Sequence, residues 1–241
     1  MAKIQDVKAR EILDSRGNPT VEAEVLVKKR WFRASVPSGA STGKYEAVEL
    51  RDGGKRYLGK GVRNAVEGVN FEISGRLIGF NIEQQRNIDD ALIHLDDTYT
   101  KHVLGANAIL AVSLACARAG AAQQGVSLFA YIGQLTKNKP LQLPVPQMNV
   151  INGGVHAGLK NDVQEHLIMP VGADSFSEGL RMGTECYHAL KDLLKKKFSA
   201  HATLVGDEGG FVPPVKTVEE RLELMERAVE NAGYTMKKDV V

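Results

Sequence analysis

The chain has 241 residues, 43% of them hydrophobic, and a formal net charge of +2. That length suits one large or two modest domains with a sizeable core. The near-balanced charge leaves no bulk electrostatic case for binding nucleic acid or an anionic membrane. No apolar run is long enough to span a bilayer, and the N-terminal MAKIQDVKAREILDSRGNP lacks the apolar region of a signal peptide. The expected setting is therefore soluble and cytoplasmic. Cys116 and Cys186 sit in helix-like sequence among Ala, Leu or Tyr, which predicts buried free thiols rather than a disulfide.

Ile4–Leu13, residues 20–27 and residues 31–36 are rich in β-branched or aromatic residues and read as three antiparallel strands. Gly17-Asn18-Pro19 turns the first into the second, and Lys28-Lys29-Arg30 is a polar connector to the third. Residues 37–43, Pro-Ser-Gly-Ala-Ser-Thr-Gly, form a small-residue loop. Helical spacing then takes over: Val62, Val66, Val69 and Ile73, followed by Ile88, Leu92 and Leu95. Asn107 stands at an expected N-cap before an Ala-rich helix over 108–122, and residues 128–135 make one more short helix. Strands followed by helices indicate an α+β domain. The polar Lys137-Asn138-Lys139-Pro140 marks the boundary, giving domains 1–139 and 140–241.

After the boundary, residues 146–151 and 164–169 read as strands. Residues 176–198 read as a long helix with Leu180, Gly183, Tyr187, Leu190 and Leu194 on one face. Residues 218–232 form another, with Leu222, Met225 and Val229 in register. Two strands and two helices cannot close a large sheet or barrel. Val240-Val241 has the character of a strand beginning, so the sequence reads as cut within a domain.

Three segments carry candidate chemistry. In NVINGGVHAGLKNDVQEHLIM, a strand-like run ends in Asn152-Gly153-Gly154, where paired glycines let backbone approach a ligand closely. His156, Gln164 and Glu165 follow, supplying a titratable ring, an amide and a carboxylate, the inventory of a site for an anionic, oxygen-rich small molecule. No second His or Cys lies at ligand spacing from His156, so a zinc site is not expected. Residues 38–43 are either a mobile lid whose Ser hydroxyl and carbonyl ligate a hard cation such as Mg²⁺, or a hairpin connector. Asp207-Glu208 is bracketed by Gly206 and Gly209-Gly210. One carboxylate can serve a site while the other braces the loop, or the pair is a solvated acidic turn.

Taken in order, Asp14-Ser15-Arg16-Gly17-Asn18-Pro19-Thr20-Val21-Glu22, Val36-Pro37-Ser38-Gly39-Ala40-Ser41-Thr42-Gly43, Leu104-Gly105-Ala106-Asn107-Ala108-Ile109-Leu110, Asn152-Gly153-Gly154 with His156-Ala157-Gly158, Gln164-Glu165 and Gly206-Asp207-Glu208-Gly209-Gly210 resemble the enolase (phosphopyruvate hydratase) family. The resemblance implies an α+β N-terminal cap domain followed by the first part of an enolase-type (β/α) barrel, incomplete in this chain. It implies Mg²⁺-dependent, reversible dehydration of 2-phosphoglycerate to phosphoenolpyruvate. By the same resemblance, Glu208 is the general acid and Glu165 its catalytic partner. Gln164, Glu165 and His156 contact substrate, Gly39 and Ala40 form the mobile lid, and Ser41 ligates Mg²⁺. Arg10 and Glu22 match interface positions of a homo-oligomer, a dimer or higher; no membrane or nucleic-acid partner is implied.

Two departures stand out. His166 replaces the aromatic residue the family usually carries after Gln-Glu, and residues 159–162 do not align. The family's lysine base, its three carboxylate metal ligands and its phosphate-holding residues fall beyond residue 241. These 241 residues alone are therefore expected to be inactive. The alternative expectation is a non-catalytic half that works as an assembly or interaction module.

Overall fold

A computed structural model describes residues 1–39, 42–137, 141–154, 163–206 and 208–241. They divide into two compact units, Met1–Leu141 and Gln142–Val241.

The first unit opens with an antiparallel meander of β1 (Ile4–Leu13), β2 (Pro19–Val27) and β3 (Arg30–Ser35). Between β1 and β2, the Asp14 carboxylate accepts hydrogen bonds from the Asn18 and Arg16 amides at 2.9 and 2.8 Å, and Gly17 takes φ +76°. These bonds, the Asn18 amide first, hold the Asp14 carboxyl below its ordinary pKa. The β2–β3 turn is tighter than a polar connector: Val27 pairs with Arg30, leaving only Lys28 and Lys29, both at positive φ. This is the two-residue hairpin whose twist matches that of its strands.

Alternate β2 residues Val21, Ala23, Val25 and Val27 are buried, as period-2 patterning requires. They meet a helical layer: α1 (Arg63–Gly68), a π-helical turn at Val69–Ile73, α2 (Ser74–Leu77), α3 (Gln85–Asp96), α4 (Ala106–Gln124) and α5 (Leu128–Thr136). Small side chains on α4, among them Ala108, Ala111, Ala115 and Ala119, are buried against this core, and Cys116 is a buried free thiol among them. Asn107 is not the N-cap of α4. Gly105 holds that position, and the Asn107 amide instead bonds the Leu50 N–H and C=O at 3.2 and 3.1 Å, so its side chain is spent on tertiary structure.

Before α4, the chain is pinned by one buried carboxylate. Asp96 accepts from the Thr98 hydroxyl and from the amides of Thr98, Val103 and Leu104. Burial alone would raise its pKa, but the hydrogen bonds from Thr98 and Leu104 outweigh that and set it below 3.8.

The second unit pairs β4 (Met148–Asn152) with β5 (Glu165–Ile168) antiparallel and adds α6 (Phe176–Lys197) and α7 (Val218–Asn231). Ser175 caps α6 by accepting from the Glu178 amide, and Thr217 with Glu220 forms a full capping box on α7. Val150, Ile151, Ile168, Cys186, Leu190, Leu194, Leu224 and Val229 share one core. The expected helix stripes are partly displaced. Leu180 is 49% exposed and Leu222 52%, while Met182 and Leu193 on α6, and Arg221 and Ala228 on α7, are buried. Gly183, Leu190 and Leu194 on α6, and Met225 and Val229 on α7, are buried as their spacing predicts. A Cβ at Gly183 would meet Met148 Sδ at 2.1 Å, so the glycine leaves room for the end of the Met148 side chain.

Val241 exchanges two backbone hydrogen bonds with Met169, the strand-like pairing its sequence suggests. Among the described residues no barrel closes: the sheets have three and two strands.

Because the Asp96 pKa is depressed in the folded unit, its stabilising effect is full above the unfolded carboxyl's pKa and is lost as pH falls through the folded value. Asp96→Asn is expected to destabilise the first unit by about 1–3 kcal/mol at neutral pH. It should also flatten the loss of stability below about pH 4 seen in wild-type denaturation curves.

Candidate functional site

One irregularity in β4 organises the second unit's polar face. Met148 and Asn149 pair with Ile168 and Leu167, but Ile151 and Asn152 pair with His166 and Glu165. Val150 is thus an extra residue on β4, a bulge. In a regular strand, residues three apart face opposite ways. The bulge instead puts Asn149 and Asn152 on the face of Leu167 and Glu165. Val150 and Asn152 turn their backbones to Phe211, with the Phe211 amide donating to Val150 C=O and the Asn152 amide to Phe211 C=O, both at 2.9 Å.

Phe211 follows the glycine-bracketed acidic loop. The Gly206 amide donates to Gly210 C=O at 2.9 Å and the Gly209 amide to Gly206 C=O at 3.0 Å, with Gly209 at φ +82°. The Tyr187 ring of α6 stacks on Phe211 at 4.4 Å between centroids, and its hydroxyl donates to Gly209 C=O at 2.9 Å. Burial pushes the Tyr187 pKa up, which keeps that donor protonated. From the front, Asn149 Nδ2 donates to Glu208 Oε2 at 3.0 Å. Glu208 is thereby tied to the strand face that also carries Glu165.

Space behind this loop is tight. A Cβ at Gly210 would stand 2.5 Å from Asn152 Oδ1 and 3.0 Å from Asn149 Oδ1. Asn152 is 1% exposed, and among the described residues neither of its amide atoms has a hydrogen-bond partner; Asn149 Oδ1 is likewise buried without one among them. Each such atom costs about 1–3 kcal/mol.

Gln164 and Glu165 lie at the start of β5. The Gln164 amide donates to Glu165 Oε1 at 3.2 Å, and Gln164 C=O accepts from the Gly153 amide at 2.8 Å, using the glycine pair as a close backbone approach. His166, in the position where an aromatic residue was expected, is 4% exposed, with Nδ1 3.3 Å from Ile151 C=O. It faces away from the Asn149 side of the sheet, since neighbours along a strand point oppositely.

In the first unit, Gly39 is exposed at the edge of the small-residue loop, whose near end is anchored. Arg16 Nη2 donates to the C=O of Ser38 and Gly39 at 2.9 and 3.1 Å and is itself paired with Asp14. Beyond the loop, the Gly43 amide donates to Glu46 Oε2 at 2.6 Å. An open cavity of about 260 Å³ at its base is lined by Ser38, Gly39, Thr42, Glu46, Glu49 and Asn107 among others.

Ala40, Ser41 and His156, and the first acid of the Asp207-Glu208 pair, lie outside the described residues. Among the described residues no group of three or more His, Cys, Asp or Glu side chains converges to hold a metal ion. Also among the described residues, no helix is long and apolar enough to cross a membrane. Arg10 bonds Glu22 at 2.7 Å, and Glu24, across the β1–β2 pair, so these ions pair within one chain.

Asn149, Asn152, Tyr187 and Arg16 join the candidate site only through the fold. A signal existed for the first two: a five-residue strand holding two asparagines contradicts strand propensity and asks what the amides do.

Residues 4–132 match the family described as Enolase, N-terminal domain, and residues 140–241 match Enolase, C-terminal TIM barrel domain. The chain belongs to the enolase family. It is 57% identical over 232 residues to the enolase of Thermococcus gammatolerans, covering 96% of this chain and 53% of that protein. It is 56% identical over 232 residues to that of Thermococcus kodakarensis, with the same coverage, and 55% identical over 244 residues to that of Solanum lycopersicum, covering 98% and 55%. The chain thus spans about half the length of the curated enolases it matches. The open strand pair and its helices are the beginning of the enolase barrel domain, which explains why no barrel closes among them.

Tyr187→Phe keeps the stacking on Phe211 and removes only the bond to Gly209. It is expected to lower stability by about 1 kcal/mol and to speed hydrogen exchange at Gly206 and Gly209 selectively, measured by native-state exchange.

Proposed function

We propose that this chain supplies the acid side of an enolase site, for the reversible dehydration of 2-phosphoglycerate to phosphoenolpyruvate. The observation that carries the reading is Glu208. It stands on a glycine-bracketed loop, fastened by Asn149 at 3.0 Å to the strand face shared with Glu165, in a chain that the two enolase domain families match over residues 4–132 and 140–241. Flanking glycines leave room for a substrate to come within hydrogen-bond range of the carboxyl group.

In the forward direction a base removes the proton next to the substrate carboxylate, and Glu208 protonates the departing hydroxyl, which leaves as water. Glu165 is its catalytic partner at the same end of the substrate, with Gln164 and His156 as substrate contacts. Gly39 and Ala40 are the moving part of the lid. Mg²⁺ is the proposed cofactor, with Ser41 its ligand from this chain. A divalent cation so bound offsets the negative charge that develops when a proton is taken from beside a carboxylate. Arg16 holds the carbonyls of Ser38 and Gly39 at the near end of that lid. A homo-oligomer in the cytoplasm completes the proposal.

The test is intact mass of the protein from its source, paired with a 2-phosphoglycerate dehydration assay in Mg²⁺. Turnover is expected, and Glu208→Gln should lower kcat by about 10²- to 10⁴-fold. A polypeptide of these 241 residues alone should show none, because it holds an acid without its base. Turnover by that purified polypeptide, abolished by Glu208→Gln, would overturn the division of labour. A protein of this mass without turnover points instead to a non-catalytic assembly module.

A further inference from the structure

Asn149 is a poor choice on grounds of stability. It sits inside a paired strand, where asparagine is disfavoured, and its Oδ1 is buried with no hydrogen-bond partner among the described residues. Leucine has nearly the same shape and would carry neither penalty. What Asn149 alone provides is Nδ2, which reaches from the strand to Glu208 Oε2 at 3.0 Å. The strand is paired to β5 and the Glu208 loop is rich in glycine, so the amide gives this carboxylate a contact on a hydrogen-bonded element.

The surroundings preserve this contact. The bulge at Val150 aims Asn149 at the face of Glu165. Gly210, lacking a Cβ, leaves space for the Oδ1 atoms of Asn149 and Asn152 against the loop. Asn152 is packed there with both amide atoms unpartnered. Two costly amides pressed against one loop mark a feature retained for orientation rather than for folding.

We propose that Asn149 is a positioning residue for Glu208: it selects the carboxylate orientation from which the proton is delivered, at the expense of stability. This rests on the reading of Glu208 as the acid. A residue that orients an acid acts on the chemical step more than on substrate binding, so its loss falls on kcat.

The decisive variant is Asn149→Leu, made in the protein as expressed from its own gene. The expected result is a Tm equal to or above wild type, kcat lowered about 10- to 100-fold, and KM within about threefold. A lowered Tm with activity falling only in step with the folded fraction assigns Asn149 a structural role and overturns the proposal. Unchanged kcat overturns it too. A second measurement separates this from failure of the enolase reading. The side-chain amide resonances of Asn149 are followed by NMR in wild type and in Glu208→Ala. Should wild type fail to dehydrate 2-phosphoglycerate, the enolase reading falls. The resonances then decide the contact alone: movement on Glu208→Ala supports the clamp, and no movement overturns it.

Discussion

The polar face of the second unit depends on one extra residue in one short strand. Without Val150 as a bulge, Asn149 and Asn152 would point to opposite sides of β4, and only one could meet the loop that carries Glu208. With it, two amides face Gly210 on the side of Glu165. The same distortion turns Val150 and Asn152 toward Phe211, which fixes where the loop re-enters the core. Tyr187 then holds the loop from behind through Gly209. A register irregularity thus gathers groups from β4, β5, α6 and a loop that are far apart in sequence.

Both units solve one problem in a similar way. In each unit a glycine-containing loop with little side-chain mass of its own is tied by charged or amide groups on its neighbours. Arg16 holds the carbonyls of Ser38 and Gly39, Glu46 takes the Gly43 amide, and Asp96 gathers the amides that lead into α4.

The elements were legible where periodicity is strong. β1, the Ala-rich α4 and the long α6 follow from alternation or helical spacing, and their bounds shift by only a few residues. Stripe positions were less legible. Leu180 and Leu222 looked buried because leucine marks a face, yet each lies at the margin of a stripe that Met182 and Arg221 complete. Asn107 misled because a helix-start asparagine usually caps, whereas here a tertiary partner, Leu50, claims the amide. The carboxylates of the proposed site were visible through their glycine brackets, since glycine pairs beside acids are a local pattern. Their supports were not: Asn149 touches Glu208, 59 positions further along the chain, only after a bulge has formed.

The two thiols have a practical consequence. Cys116 is buried in the core of the first unit and Cys186 in that of the second; burial raises both pKa values, Cys186 to about 11. Each stays protonated and shielded while its unit is closed, and a thiol in that state is inert to alkylation. The molecule therefore contains one natural reporter per unit. The rate at which each cysteine becomes labelled reads the opening of its own unit, so the two cores can be timed separately in one sample without an introduced probe.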